Sequence, residues 1–286
     1  MREGIFMTVQ YVSKTLIAAA ALTVLRMISE LLIGQPLSGE LVSWLLLSNI
    51  LVSAFFVYCI LRSSWSGIRL LAAAFFVNFV IADFNVFIEA IFFSIEIARA
   101  TAIGMLTSGF VVTLLFTFIL VTLLGKLRPS AGEAAPHLER KRWSQWLWRI
   151  VVCVFAYVFL YFMAGAIIFP YVREFYEGKV LPSLSQILLM QILRGFLYVC
   201  AAIPLARMLN VRRFEAAVLT GLAFSILGAV APLIVPNPYM PANIRLVHGF
   251  EVGISNFIFG LIAGLLLYAK RPQAYPDKSR ENNASH

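Results

Sequence analysis

Charge is what this chain has least of. Only 13% of its 286 residues are Asp, Glu, Lys or Arg, about half the ~25% of an ordinary soluble domain. That is too little to solvate the surface of a water-facing globule of this length. Alternating polar and apolar ten-residue segments are also missing, which argues against a transmembrane β-barrel. Cysteine is scarce: Cys59, Cys153 and Cys200 stand far apart inside apolar blocks. No CxxC spacing joins them, so they read as small buried hydrophobes and not as a disulfide or zinc framework. The sequence has no HExxH, no GxSxG, no P-loop and no pair of acidic motifs spaced for a metal cluster. Nothing in it implies a cofactor.

What the chain does have is oil. Hydrophobic residues make up 61% and the mean hydropathy is +0.87. The apolar residues come in blocks of ~20, which at about 1.5 Å rise per residue match a bilayer core of ~30 Å. Spans are predicted near 9–33, 41–61, 68–93, 102–124, 147–171, 184–207, 214–235 and 244–269. The fold class is therefore all-α, a polytopic integral membrane protein of about eight transmembrane helices. The first block is too long for a signal peptide, contains Arg26 and Glu30, and reads as an uncleaved span.

The net charge of +9 with a pI of 9.7 would suggest nucleic acid in a soluble protein. Here no aromatic-basic groove supports that partner. The cations sit instead in alternate short connections: Arg2, Arg62, Arg69, Lys126, Arg128, Arg140, Lys141, Arg142, Arg207, Arg212, Arg213, Lys270 and Arg271. The other connections carry only Arg99, Arg173, Lys179 and, at an edge, Arg245. Such alternation is the positive-inside pattern and puts both termini in the cytoplasm. The lack of soluble domains fits a bacterial inner membrane, with the lipid bilayer as the evident partner.

Four units follow: residues 1–125 as a first four-helix half, 126–146 as a basic cytoplasmic linker, 147–269 as a second half, and 270–286 as a disordered polar tail. The linker region "KLRPSAGEAAPHLERKRWSQWLWR" (126–149) interleaves Arg140, Lys141, Arg142 and Arg149 with Trp143, Trp146 and Trp148, a mixture suited to the headgroup layer. The halves resemble one another at an offset of about 142. "SWLLLSNILVSAFFV" (43–57) aligns with "SQILLMQILRGFLYV" (185–199), and "GKLRP" after span four answers "YAKRP" after span eight. Four spans per half make this a parallel repeat. The "NAS" at Asn283 fits a glycosylation pattern but falls on the cytoplasmic side.

Ionisable groups at membrane depth cost ~2.5 kcal/mol or more, so each needs a partner or water. They are Arg26 and Glu30 in span one, Asp83 and Glu89 in span three, Arg194 in span six, and Arg245, His248 and Glu251 in span eight. All but Arg194 and Asp83, which lie near mid-membrane, fall in the outer halves. The expectation is one outward-open polar region that all eight share, with Asp83 as the first partner for Arg194 and Glu251 as the second. Arg26 and Glu30, four apart, also suit each other. On span eight Gly249, Gly253, Gly260 and Gly264 fall on one stripe for close helix packing. His248, Glu251 and Ser255 occupy the neighbouring face. Asn78, Asn85, Glu89 and Glu96 share a face of span three, where the two asparagines read as interhelical glue. The stretch "VPNPYMPAN", with Pro236, Pro238 and Pro241, reads as a stiff tight connection.

Three functions fit these residues. One is a carrier or permease-like protein for a small solute or lipid, with Arg194, His248, Glu251 and Asp83 in its cavity. A second is an intramembrane enzyme acting on a lipid or lipid-linked phosphate, with His248 as acid or base and the arginines holding phosphate. The third is a scaffold or sensory module whose charges only fix helix partners. The carrier reading is the leading expectation.

Overall fold

The computed structural model describes residues 2–34, 36–92, 99–128, 142–178, 181–237 and 240–268. Eight helices are long and apolar enough to cross a membrane: Thr8–Leu32, Gly39–Leu61, Gly67–Glu89, Ala102–Leu123, Trp143–Tyr176, Leu184–Met208, Arg213–Ile234 and Ala242–Leu267. They are called spans one to eight below. The chain is an all-α, multi-pass membrane protein. In lipid every backbone N–H and C=O needs a protein partner, and a helix supplies one locally. The expectations for Glu96, Arg140, Lys141, Pro238, Asn283 and the tail fall outside the described residues.

Local signals set the helix ends. Ser38 accepts a hydrogen bond from the Leu41 N–H and so caps span two. Ser183 and Gln186 form a reciprocal capping box at the start of span six. Gly125 (φ 69°) and Gly178 (φ 81°) end spans four and five in the left-handed conformation that favours glycine. Span five departs from the expected boundary at 146/147. Its helix runs unbroken from Trp143 to Tyr176, so the tryptophan segment forms the first turns of that helix. The Arg207 guanidinium at the end of span six lies 4.7 Å from the Trp146 ring centre, which ties the two spans together at that level.

The packing order has a regularity. Span one packs on spans two and four, and span three packs on span four. In the second half, span five packs on spans six and eight, and span seven packs on span eight. Across the halves, span three meets span six and span seven meets span two. Exchanging the halves maps each of these contacts onto another. The second half is the tighter of the two, because span eight also reaches span six.

Two π-helical stretches interrupt the third span of each half: Phe79–Phe84 in span three and Ile226–Val230 in span seven. They touch each other. They begin at Phe79 and Ile226, 147 positions apart, and the bridged pair Ser63 and Leu209 are 146 apart. That bridge joins the ends of spans two and six, with Asn210 N–H donating to Arg62 O and Ser64 N–H to Met208 O.

The π stretch in span three has a local consequence. Across the wider turn Val80 O accepts the Asn85 backbone N–H, and the Asn85 side-chain amide donates to the same oxygen at 2.8 Å. Asn85 thus serves its own helix and is not interhelical glue; Asn49, donating to Thr23 Oγ1 at 3.0 Å between spans two and one, does play that role. Replacing Asn85 by Leu keeps the backbone bond but removes the side-chain hydrogen bond, a loss of about 0.5–1.5 kcal/mol. Thermal unfolding of the purified variant should show it, and an unchanged midpoint would contradict this role.

Candidate functional site

The site grows from four helix faces that meet in the half of the protein away from the basic connections. Span six carries Gln191, Arg194 and Tyr198 at spacings of three and four, one face by helical geometry. All three are buried. Span three brings Glu89 just past the π stretch, and its Oε2 lies 3.2 Å from Arg194 Nη2. Span eight brings His248 and Glu251, three apart, with Nδ1 and Oε2 separated by 2.9 Å. Span five presents Tyr157, Tyr161, Gly165 and Tyr176 along one side. Tyr157 and Tyr161 lie within electrostatic reach of Glu89 and Arg194. Tyr161 and Tyr176 reach Glu89 and Glu251. A Cβ placed on Gly165 would stand 3.9 Å from Glu251 Oε1, so the glycine leaves room for that carboxylate. His248 also feels Glu89 and Arg194, which makes the two ion pairs one electrostatic unit.

Side-chain exposure grades across the unit: Glu89 29%, His248 25%, Glu251 13% and Arg194 6%. Glu89 and His248 are therefore the most exposed members and Arg194 the most deeply buried. Below Arg194, toward the basic face, Tyr157, Tyr198, Phe224 and Phe259 stack edge-on and tilted at 4.8 to 5.3 Å between ring centres. This aromatic layer closes the unit on that side. Three polar side chains carry unpartnered atoms inside it: Arg194 at Nε, Gln191 at both ends of its carboxamide, and Tyr198 at its hydroxyl. Gln191 is fully buried at 0% exposure, where an unsatisfied amide is costly.

Arg194 pairs with Glu89, which corrects the expectation of Asp83 or Glu251. Asp83 belongs to a second group inside the first half. Its carboxylate accepts from Thr113 Oγ1 at 2.9 Å and lies against Gly109, where a Cβ would come within 2.7 Å of Oδ1. Arg26 lies within electrostatic reach of both Asp83 and Glu30. Ser29 and Ser108 hydrogen-bond alongside. Arg245 belongs to neither group, since its Nη1 donates to Met240 O at 3.1 Å and braces the loop before span eight. The eight expected residues thus divide into one four-membered unit, one three-membered cluster and a brace. Ser255 turns inward to its own helix, donating to Glu251 O at 2.8 Å.

The glycine stripe of span eight meets span seven unevenly. A Cβ on Gly264 would fall 2.5 Å from Ala217 Cα, and one on Gly260 would fall 2.6 Å from Thr220 O. On Gly253 and Gly249 the nearest atoms lie at 3.6 and 3.9 Å. The helices touch backbone to backbone at the basic end and splay toward the other. An apolar groove of about 240 Å³, lined by Val230, Gly249, Phe250 and Ile254 among others, lies in the splay and contains none of the ionised residues.

Sequence reasoning missed Tyr157, Tyr161, Tyr176, Tyr198 and Gln191. The signal was present as tyrosines four apart, with a glycine one turn further on. Comparison with known proteins gives no match: no family model, no curated protein and no solved structure is similar to this chain.

Proposed function

We propose that this protein is a carrier that moves a small polar solute across the membrane, with Glu89, Arg194, His248 and Glu251 as its binding and coupling residues. The observation that carries this reading is their convergence from spans three, six and eight, which come from both halves of the chain. We further propose that residues 1–125 and 147–269 are duplicated halves in parallel repeat, related by an axis through the touching π stretches. The matched contact pattern, the paired π segments and the self-matching bridge Ser63–Leu209 all support that. A site at the boundary between two repeats is where rocking of one half against the other changes access most. The aromatic layer under Arg194 would then be the closed inner gate. On this reading the basic face is cytoplasmic and the site faces outward.

The test is solute uptake into proteoliposomes. Glu251→Gln and His248→Ala should each cut uptake at least about tenfold, a loss of ~1.4 kcal/mol or more in coupling, while the purified variants keep the wild-type size-exclusion profile. Full uptake by both variants overturns the assignment. The enzyme reading draws on the His248–Glu251 hydrogen bond alone. It predicts lipid or phosphate turnover lost in His248→Ala, with uptake absent from the wild type as well.

A further inference from the structure

We propose that the solute is a small oxyanion, a carboxylate or a phosphate, that binds Arg194 together with one proton taken up by Glu89. This rests on the carrier reading and adds its substrate class and driving ion. A buried guanidinium needs an anion, and here the Glu89 carboxylate supplies it at 3.2 Å. The guanidinium Nε stays unpartnered, and such a fork suits two oxygens at once. One turn away, the fully buried Gln191 amide has N–H groups with no acceptor. Arg194 and Gln191 together form a donor set waiting for an oxyanion.

The exchange conserves charge in a place where net charge is expensive. In the structure Glu89⁻ and Arg194⁺ sum to zero. Adding a proton to the Glu89 carboxylate makes it neutral and frees Arg194. An incoming monoanion, such as lactate, glutamate, monoprotonated succinate or dihydrogen phosphate, then takes the guanidinium, and the sum is zero again. When the proton leaves on the other side, Glu89⁻ reclaims Arg194 and displaces the anion. One proton and one negative charge cross together, with no bond made or broken except the O–H. Glu89 is the proton acceptor because it is the most exposed of the four and its ion pair is with Arg194, the group the anion would take, whereas Glu251 is held by His248. The charged and titratable groups facing Glu89 among the described residues are Arg194 and Tyr198 from span six, Tyr157, Tyr161 and Tyr176 from span five, and His248 from span eight, itself bound to Glu251.

The test is equilibrium binding of radiolabelled lactate, succinate, glutamate and inorganic phosphate to the full chain in lipid nanodiscs. At least one probe should bind the wild type more weakly as pH rises between about 5.5 and 7.5, by up to about tenfold per pH unit, the limit for one linked proton. Glu89→Gln, a permanently neutral Glu89, should bind the same probe equally at both ends of that range. The double variant Glu89→Gln/Arg194→Gln, in which no charge is left unpaired, should keep the size-exclusion profile and bind none. Arg194→Lys, which keeps the charge but not the fork, should bind more weakly. The inference fails if no probe binds wild type or Glu89→Gln at either pH, if the pH dependence survives Glu89→Gln, or if binding survives the double substitution. Uptake of a neutral or cationic solute that still needs Arg194 would sink this inference and leave the carrier; uptake of no solute at all would sink both.

Discussion

Gly264→Leu is expected to abolish the folded protein, and Gly260→Leu to come close. At both positions the first added carbon meets backbone: Ala217 Cα at 2.5 Å and Thr220 O at 2.6 Å. Flexible side chains can move aside, but a helix backbone held by its own hydrogen bonds cannot. Extra methylenes in a packed core already cost about 1–3 kcal/mol, so a backbone collision should cost at least ~3 kcal/mol out of a total stability of ~5–15 kcal/mol. Gly249→Ala is the control on the same stripe, because its nearest neighbour stands at an ordinary 3.9 Å. Fluorescence-detected size exclusion with a heating series reads all three. A monodisperse Gly264→Leu with wild-type thermal stability would show that spans seven and eight do not meet in this way.

The second large effect belongs to the Glu89–Arg194 pair. Removing Glu89 by substitution with Ala leaves a guanidinium of 6% exposure without its carboxylate. Breaking a buried pair from one side costs about 3–5 kcal/mol, while removing both charges together is often nearly neutral. Glu89→Ala and Arg194→Gln should therefore each lower the unfolding midpoint strongly, and the double variant should recover most of the loss. Additive losses in the double variant would mean that the two side chains do not meet. The cycle is informative because the partners come from spans three and six, on opposite sides of the linker.

How much of this was legible in the sequence depends on the length scale of the signal. Span positions follow from apolar blocks and cation placement, which are local, and helix ends such as Ser183-x-x-Gln186 and Gly125 were written in the residues themselves. The glycine stripe of span eight was legible as a face, because helical periodicity fixes which residues share one. Its uneven depth was not, because the splay comes from how span seven leans. Arg194's partner was a choice among carboxylates at similar depth. Depth alone favoured Asp83, but the π stretch Phe79–Phe84 resets the rotation of span three between Asp83 and Glu89, turning the first toward span four and the second toward span six. A π turn leaves little trace in a hydrophobic sequence, so the division into two polar groups had no local signal. The tyrosines were hidden for another reason: in an apolar helix a tyrosine reads as an interface or packing residue, and only its neighbours show that it lines a charged site.

The account stands on Glu89 of the first half and His248 of the second sharing one electrostatic site. Histidine NMR of the full chain in nanodiscs, following the His248 ring resonance through a pH titration, measures this directly. The account predicts that Glu89→Gln displaces the His248 titration midpoint, and that Glu251→Gln, which removes the 2.9 Å partner, displaces it further. A His248 titration that moves with Glu251 but is identical with and without Glu89 would mean two separate ion pairs, and no shared site between the halves.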